Sequence, residues 1–326
     1  MNDLPPDLPR RFCPACGEWT VGHFRLGPGS RPEARCPHCK SLERQRFLAV
    51  VVGCLRPVLE PVGTVLDIAP APVTTTVLDQ LAPRRHIRMD IGYDAREVDL
   101  LGSVCALPLP DRSVDLLVCY HVLEHVADDA CALRELTRVL TPGGLGLVQV
   151  PIKFGLPTDE DPLAGPGERV SRFGQIDHVR YYGDDFEQRL VRAGLDFTRI
   201  SPRSLVGERV CRLLGLIPEE WVWLVRRAAE AANAEAGPLV VPPPTGLTRT
   251  LDAVVDAWTT DLAKLDHTRE RLSRVKQRSD RQAQRIAQLS RQVSRLRNRV
   301  EALTARPTTL AGRIRARTHR RPPSKA

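Results

Sequence analysis

Apolar positions recur at helical spacing over residues 42–60 (SLERQRFLAVVVGCLRPVLE starting one residue earlier) and stop near Pro61, which predicts one amphipathic helix. From Val62 the pattern changes to short apolar runs. Strands are expected at Thr64–Ile68, 86–90, Val114–Tyr120 and 144–150, with a helix over 129–140 that stops at Thr141-Pro142-Gly143-Gly144. Two later apolar segments, 197–200 and 221–225, could complete the same sheet. Strands alternating with helices imply a mostly parallel sheet covered on both faces, an α/β fold. Residues 229–247 are rich in Ala and Pro and read as a linker.

Beyond the linker a different period appears. Leu272, Ser279, Ile286, Val293 and Val300 recur every seven residues, and Val275, Gln282, Leu289, Leu296 and Leu303 follow each by three. Leu251, Trp258 and Leu265 continue the first series upstream. This is the seam of a coiled coil over 248–305. β-Branched residues in the first series and Leu in the second favour a parallel homodimer. Ser279 and Gln282 weaken one layer. The flanks are basic (Arg271, Lys276, Arg278, Arg285, Arg297, Arg299), and like charges would repel across a parallel pair. An anionic partner, an antiparallel arrangement or an acidic heteromeric helix would relieve this. A lone helix folded onto the rest of the chain is the plainer alternative.

Charge sharpens that division. The 326-residue chain has a formal net charge of +9, but residues 264–326 hold 19 Lys and Arg against 4 Asp and Glu, and the remainder is net negative. The basicity therefore belongs to the helix and to the end of the chain, 306–326, which is expected to be disordered. Nucleic acid, an acidic lipid surface or an acidic polymer would suit it, as would simple solvation. No apolar run approaches the ~20 residues that cross a bilayer, and the first 11 residues read as a disordered leader without a secretory signal. A cytoplasmic location is expected.

Cys13-Pro14-Ala15-Cys16 and Cys36-Pro37-His38-Cys39 form two C-x-x-C units within residues 12–41. Four thiolates at this spacing fit a structural Zn2+ ribbon, and Gly17 suits the tight turn. A four-cysteine site leaves no open position to activate a water. His23 and His38 are more readily exposed polar residues than ligands. The ribbon could simply brace the helix at 42–60 against the sheet.

The first strand ends in Asp67-Ile68-Ala69-Pro70, where an open α/β sheet binds ligands. An acidic residue there can hold an amino group. The second strand ends in Asp90, placed either to accept from ribose hydroxyls or to cap a turn. The run that follows is more specific: Leu107-Pro108-Leu109-Pro110-Asp111-Arg112-Ser113-Val114-Asp115, then His121-Val122-Leu123-Glu124-His125, then Leu133 to Gly144. In this order it resembles the class I, type-11-like S-adenosylmethionine-dependent methyltransferases, whose pattern reads L-P-F-x-D-x-S-F-D, H-V-L-E-H, L-x-E-x-x-R-V-L-x-P-G-G. Glu160-Asp161-Pro162 and residues 173–183 extend the likeness to a subgroup with an N-terminal cysteine-rich segment. That subgroup often reads H-I-A-P-E where most of the class carries glycines, as this chain does not.

The resemblance implies a Rossmann-like fold of seven strands and S-adenosylmethionine as cofactor, with the enzyme domain over 42–228. It places Asp67, Ile68, Ala69 and Pro70 at the methionine end and Asp90 on the ribose. Ser103 stands where the class often has an acid reading the adenine amino group, leaving recognition to the backbone of Val104 and to packing, with Leu107 in the same block. Tyr120 and His121 would face the methyl group or the acceptor. A hydroxyl acceptor must lose a proton, so His178 and His121 are the candidate bases, with Asp177 and Asp161 as orienters. For His178 a structural turn tied by Asp177 and Arg180 is the equal alternative, and Glu124 and His125 are expected to be structural. The resemblance implies a methyltransferase acting on a small molecule or glycan, at oxygen. An RNA methyltransferase using ribbon and tail for binding, and a non-catalytic dimeric scaffold, are the competing readings.

Overall fold

In the computed structural model, residues 10–92, 98–228, 239–241 and 245–304 are described. The chain divides into two compact units, Met1–Ala257 and Trp258–Ala326. The first opens with a hairpin, β1 (Arg10–Cys13) and β2 (Glu18–Val21), followed by helix α1 (Glu43–Leu59). The hairpin thus begins at Arg10, inside the stretch the sequence assigned to the leader. Then come β3 (Thr64–Ile68), α2 (Pro72–Asp79), β4 (Arg85–Asp90), β5 (Leu100–Leu101), β6 (Val114–Tyr120), α3 (Asp129–Val139) and β7 (Leu140–Gln149). A short pair, β8 (Asp159–Glu160) and β9 (Arg180–Tyr181), brackets α4 (Pro166–Phe173). The unit continues with α5 (Phe186–Arg192), β10 (Leu195–Ile200), α6 (Pro202–Leu214) and β11 (Val222–Arg227).

Seven strands form one sheet in the order β10-β11-β7-β6-β3-β4-β5. All neighbours are parallel except β11, which is antiparallel to both β10 and β7. The chain leaves β3 for β4 on one side and returns past it to β6 on the other. That reversal opens a crevice at the carboxyl ends of β3 and β6. This is a Rossmann-like α/β architecture.

Two cores cover the sheet. Val65, Leu116, Val118, Leu147 and Leu224 pack with α1, α2 and α6, while Leu66, Ile87, Leu117, Val148 and Trp223 pack with α3 and α5. Alternate strand residues point to opposite layers, so strands buried on both faces read as continuous apolar runs. Cys13, Ala15, Phe24 and Cys36 of the N-terminal segment belong to the first core.

One expectation changes. Thr141-Pro142-Gly143-Gly144 is not a separate turn between helix and strand. The chain passes from α3 directly into β7 at Leu140, and the four residues bulge out between the pairs Val114↔Leu140 and Leu116↔Leu145. Gly143, at φ +84°, supplies the left-handed step inside the bulge.

The last described element is α7 (Thr245–Thr304), a single helix across the heptad seam. Leu272, Val275, Ile286, Leu289, Val293, Leu296 and Val300 are all exposed on it. Most of the linker and the basic end of the chain lie outside the described residues. Among the described residues, no helix is long and apolar enough to cross a membrane.

Candidate active site and metal centre

A cleft of about 860 Å³ opens at the carboxyl edge of the sheet. Ile68 and Ala69 bring the end of β3 to it, Met89 and Asp90 the end of β4, and Gly102 to Cys105 the segment after β5. His121 and Val122 follow β6, and His125 to Asp128 lead into α3. Asp177 enters from the segment before β9. The walls are largely apolar, with few polar groups, as small-molecule sites usually are.

At the first turn Ala69 adopts φ +53°, a left-handed conformation that glycine takes at no steric cost. Its N–H donates to Met89 O at 2.8 Å, which fastens the turn to β4. Pro72 then starts α2 at a position where a missing N–H costs nothing. The turn is built without glycine by backbone bonding and proline.

Asp90 is half-buried at the tip of β4, and its Oδ1 accepts from Ile91 N at 2.6 Å. Its second oxygen makes it a fitting acceptor for vicinal hydroxyls. Ser103 Oγ accepts from Cys105 N at 3.2 Å, and Val104 is 7% exposed. The cleft volume, its apolar walls and the Asp90 carboxylate at the end of β4 suit a nucleoside joined to an amino acid.

Several expected residues stand elsewhere. Asp67 is 1% exposed and does not line the cleft. Thr74 and Thr75 of α2 donate to its Oδ2 at 3.3 and 3.4 Å, and burial pushes its carboxyl up to about 7. Asp67 lies one step below the strand edge and α2 covers it. Pro70 is turned away into the start of α2, and Leu107 is a core residue whose N–H donates to Glu135 at 2.7 Å. Tyr120 also leaves the cleft. It shares the face of β6 that carries Leu116 and Val118, its hydroxyl is buried without a partner among the described residues, and burial drives its pKa well above the usual phenol value.

The histidines divide by depth. His121 takes φ +55°, its N–H donates to Gln149 O, and its ring enters the cleft. Its Nδ1 lies 2.9 Å from Oε1 of Glu124, a carboxylate with no exposed surface. His178 is 4% exposed and stands behind the cleft wall. Its Nδ1 bonds Phe173 O at 3.0 Å, and burial holds its pKa below the usual imidazole range. His125 lies between them, edge-on to His178 with ring centroids 4.7 Å apart, and close to both the carbonyl and the carboxylate of Asp177. Asp161 is not at the cleft and pairs with Arg172.

Residue 180 explains why the downstream motif accompanies the His121–His125 turn. Arg180 is 1% exposed. Its guanidinium donates to the carbonyls of Leu123, Val126 and Ala127 and to Glu160 Oε2. Val179 N donates to Glu124 O at 2.9 Å. The turn is thereby held by β9 and Glu160; Arg180 is structural, though not through the expected pairing with Asp177. Sequence reading passed over Glu124, His125, Met89 and Cys105 as site residues because nothing in their spacing separates them from core and turn positions.

Cys13, Cys16, Cys36 and Cys39 bring their sulfurs within 4.8 Å of one another. Cys13 and Cys39 are 3.7 Å apart, close to the ~3.8 Å edge of a tetrahedron with ~2.3 Å zinc–sulfur bonds. The two C-x-x-C units share one geometry. Gly17 N donates to Cys13 O, Lys40 N donates to Cys36 O, and both Gly17 and Lys40 have positive φ. The contact with Cys13, the largest effect, favours the thiolate of Cys39. The donor set and its spacing are compatible with zinc.

The ribbon is fixed to the enzyme domain by Arg46 of α1, which has no exposed surface. Its guanidinium donates to Ala34 O and Ser41 O on the ribbon side and to Leu214 O and Gly215 O at the end of α6, and it lies 4.3 Å over the Phe24 ring.

Residues 51–148 match the family described as Methyltransferase domain. A protein of Mycolicibacterium smegmatis named "Probable S-adenosylmethionine-dependent methyltransferase" is 38% identical over 82 residues, 25% of this chain and 29% of that protein. The ubiquinone/menaquinone biosynthesis C-methyltransferase of Hahella chejuensis is 35% identical over 92 residues, 28% of this chain and 35% of the other. The chain thus spans about a third of the length of these relatives. The YcgJ protein of Bacillus subtilis superposes with a TM-score of 0.37 at 18% identity, over 55% of this chain and 99% of that one.

Proposed function

We infer that this chain, which carries a class I S-adenosylmethionine-dependent methyltransferase domain, transfers a methyl group to a small-molecule or glycan acceptor, at oxygen. The observation that carries this reading is the apolar cleft at the sheet's carboxyl edge, with Asp90 at one end and His121 at the other. In it, Asp90 accepts from the ribose, Ser103 and Val104 flank the base, and Ile68 and Ala69 border the methionine end. The cofactor supplies an activated methyl group when bound; the chain supplies position, exclusion of water and a place for the acceptor's proton.

That place is His121. Glu124 beside Nδ1 fixes the tautomer with its proton on Nδ1, which leaves the Nε2 lone pair to accept a proton. Asp177 lines the same cleft, while the buried His178 acts as a positioning residue for His125. The choice of oxygen rests on this histidine.

In the same reading the four cysteines hold a structural Zn2+, and the exposed heptad seam of α7 pairs with that of a second copy, its basic flanks meeting an anionic surface. The test is transfer of labelled methyl from S-adenosylmethionine to a cell extract, with and without glycosidase and nuclease. Label in small molecules or in glycosidase-sensitive material is expected. Label that nuclease releases would favour an RNA acceptor, and no calorimetric binding of the cofactor would leave a scaffold.

A further inference from the structure

Glu124 is fully enclosed, yet only one of its oxygens is spoken for. Oε1 faces His121 Nδ1, whereas Oε2 is buried without a hydrogen-bond partner among the described residues. A carboxylate oxygen in that position is costly unless a cation meets it. Two imidazoles stand next to it: the ligand atoms of Glu124, His125 and His178 all lie within 4.8 Å of one another.

Both histidines already engage Nδ1. His178 Nδ1 lies 3.0 Å from Phe173 O, and His125 Nδ1 lies 3.3 Å from Asp177 O and 3.3 Å from Asp177 Oδ2. Histidines that bind metals usually tie their second ring nitrogen to a carbonyl or carboxylate in this way, which sets the tautomer and leaves Nε2 for the ion. The turn is also held before any ion arrives, since Arg180 grips the carbonyls on either side of His125.

We propose that Glu124, His125 and His178 bind a divalent first-row transition ion at the wall of the cleft, a second metal site separate from the four cysteines. Two imidazoles and one carboxylate suit Mn2+, Fe2+, Co2+ or Zn2+, and three protein ligands leave a position open. The three ligand atoms lie within 4.8 Å of one another, and a tetrahedron with ~2.1 Å bonds needs edges of ~3.4 Å. His125, the partly exposed member, closes what gap remains by turning its ring inward. Because His125 also lines the cleft, the open position faces the acceptor end. An oxygen acceptor bound there loses its proton more readily; this last role rests on the function proposed above.

The test uses the full chain with zinc on its cysteines, titrated separately with Mn2+ and Co2+ and followed by electron paramagnetic resonance and by calorimetry. A zinc-filled four-thiolate site does not compete for Mn2+. One ion per chain is expected, with affinity falling by at least ~10-fold in Glu124→Gln and in His125→Ala. The first variant keeps the buried shape, and the second alters a partly exposed side chain, so folding is preserved in at least one. Saturable binding of neither ion, or binding unchanged in both variants, would overturn the site. No methyl donor is present in the titration, so the ion site is judged apart from methyl transfer.

Discussion

Asp67 and Asp90 end neighbouring parallel strands on the same face of the sheet, yet only Asp90 reaches the cleft. The register explains it: Asp67 pairs with Arg88, two residues before Asp90, and at that depth α2 closes over it with Thr74 and Thr75. The two carboxylates therefore stand in different surroundings, one at the cleft and one beneath the turn.

For Asp90 the expected consequence is loss of cofactor binding. Asp90→Ala removes a carboxylate acceptor for hydroxyl donors, a charge-assisted interaction of about 1.5–3 kcal/mol. The dissociation constant for S-adenosylmethionine should rise by about tenfold or more in calorimetry, with the circular dichroism spectrum unchanged. Wild-type affinity in this variant would remove Asp90 from the site.

For Asp67 the expected consequence is a pH dependence of stability. Its folded value of about 7 stands above the ordinary carboxylate value of 3.8, because it is buried. The folded state thus holds a proton that the unfolded state has released between about pH 4 and 7, so stability falls as pH rises through that window. Glu220, also buried and pushed up to about 7, acts in the same direction. Urea denaturation at pH 5 and pH 8 should show the wild type losing more stability than Asp67→Asn. Equal losses would mean that Asp67 ionises freely in the folded chain.

Arg46 should be among the least replaceable side chains. Arg46→Met keeps most of the apolar stem but withdraws a donor from four carbonyls of the cysteine-rich segment and the end of α6, of which Ser41 O keeps the Cys36 N–H. Leaving a buried carbonyl without its hydrogen bond costs about 1–3 kcal/mol each. The urea midpoint of the whole first unit should drop in a single transition, since ribbon and sheet share one core. A separate early transition confined to the ribbon would contradict that coupling.

Stripping the Zn2+ proposed at the four cysteines should act through the same core. Cys13 and Cys36 have no exposed surface and belong to the core that covers one face of the sheet. Cys36→Ser, or prolonged chelation, is expected to lower the thermal midpoint of the enzyme domain and to weaken cofactor binding. A chain whose midpoint ignores both treatments has no structural zinc.

The helix α7 offers an association test. Leu296 sits in the second seam series and is exposed, as are its seam neighbours. Leu296→Asp should shift light-scattering mass from two copies to one. Salt should strengthen the wild-type pair, because screening relieves the basic flanks. A wild-type chain that is monomeric at all concentrations would end the coiled-coil proposal.

The sequence by itself determined every sheet strand but the two-residue β5, together with α1 and α3, the cysteine spacing and the heptad seam, because each is a local periodicity or a fixed interval along the chain. β3 and β6 were legible to the residue, since strands buried on both faces leave mostly apolar runs, broken here by Asp67 and Asp115. Tertiary structure alone decided which end-of-strand residues reach the cleft. Asp67, Leu107 and Tyr120 carry the right chemistry, but α2, the core and the face of β6 take them away. It also gathered Glu124, His125 and His178 and drove Arg46 across to α6, more than 160 residues on. Such contacts depend on how far each strand rises before a helix covers it, a property of packing between segments that no local pattern encodes.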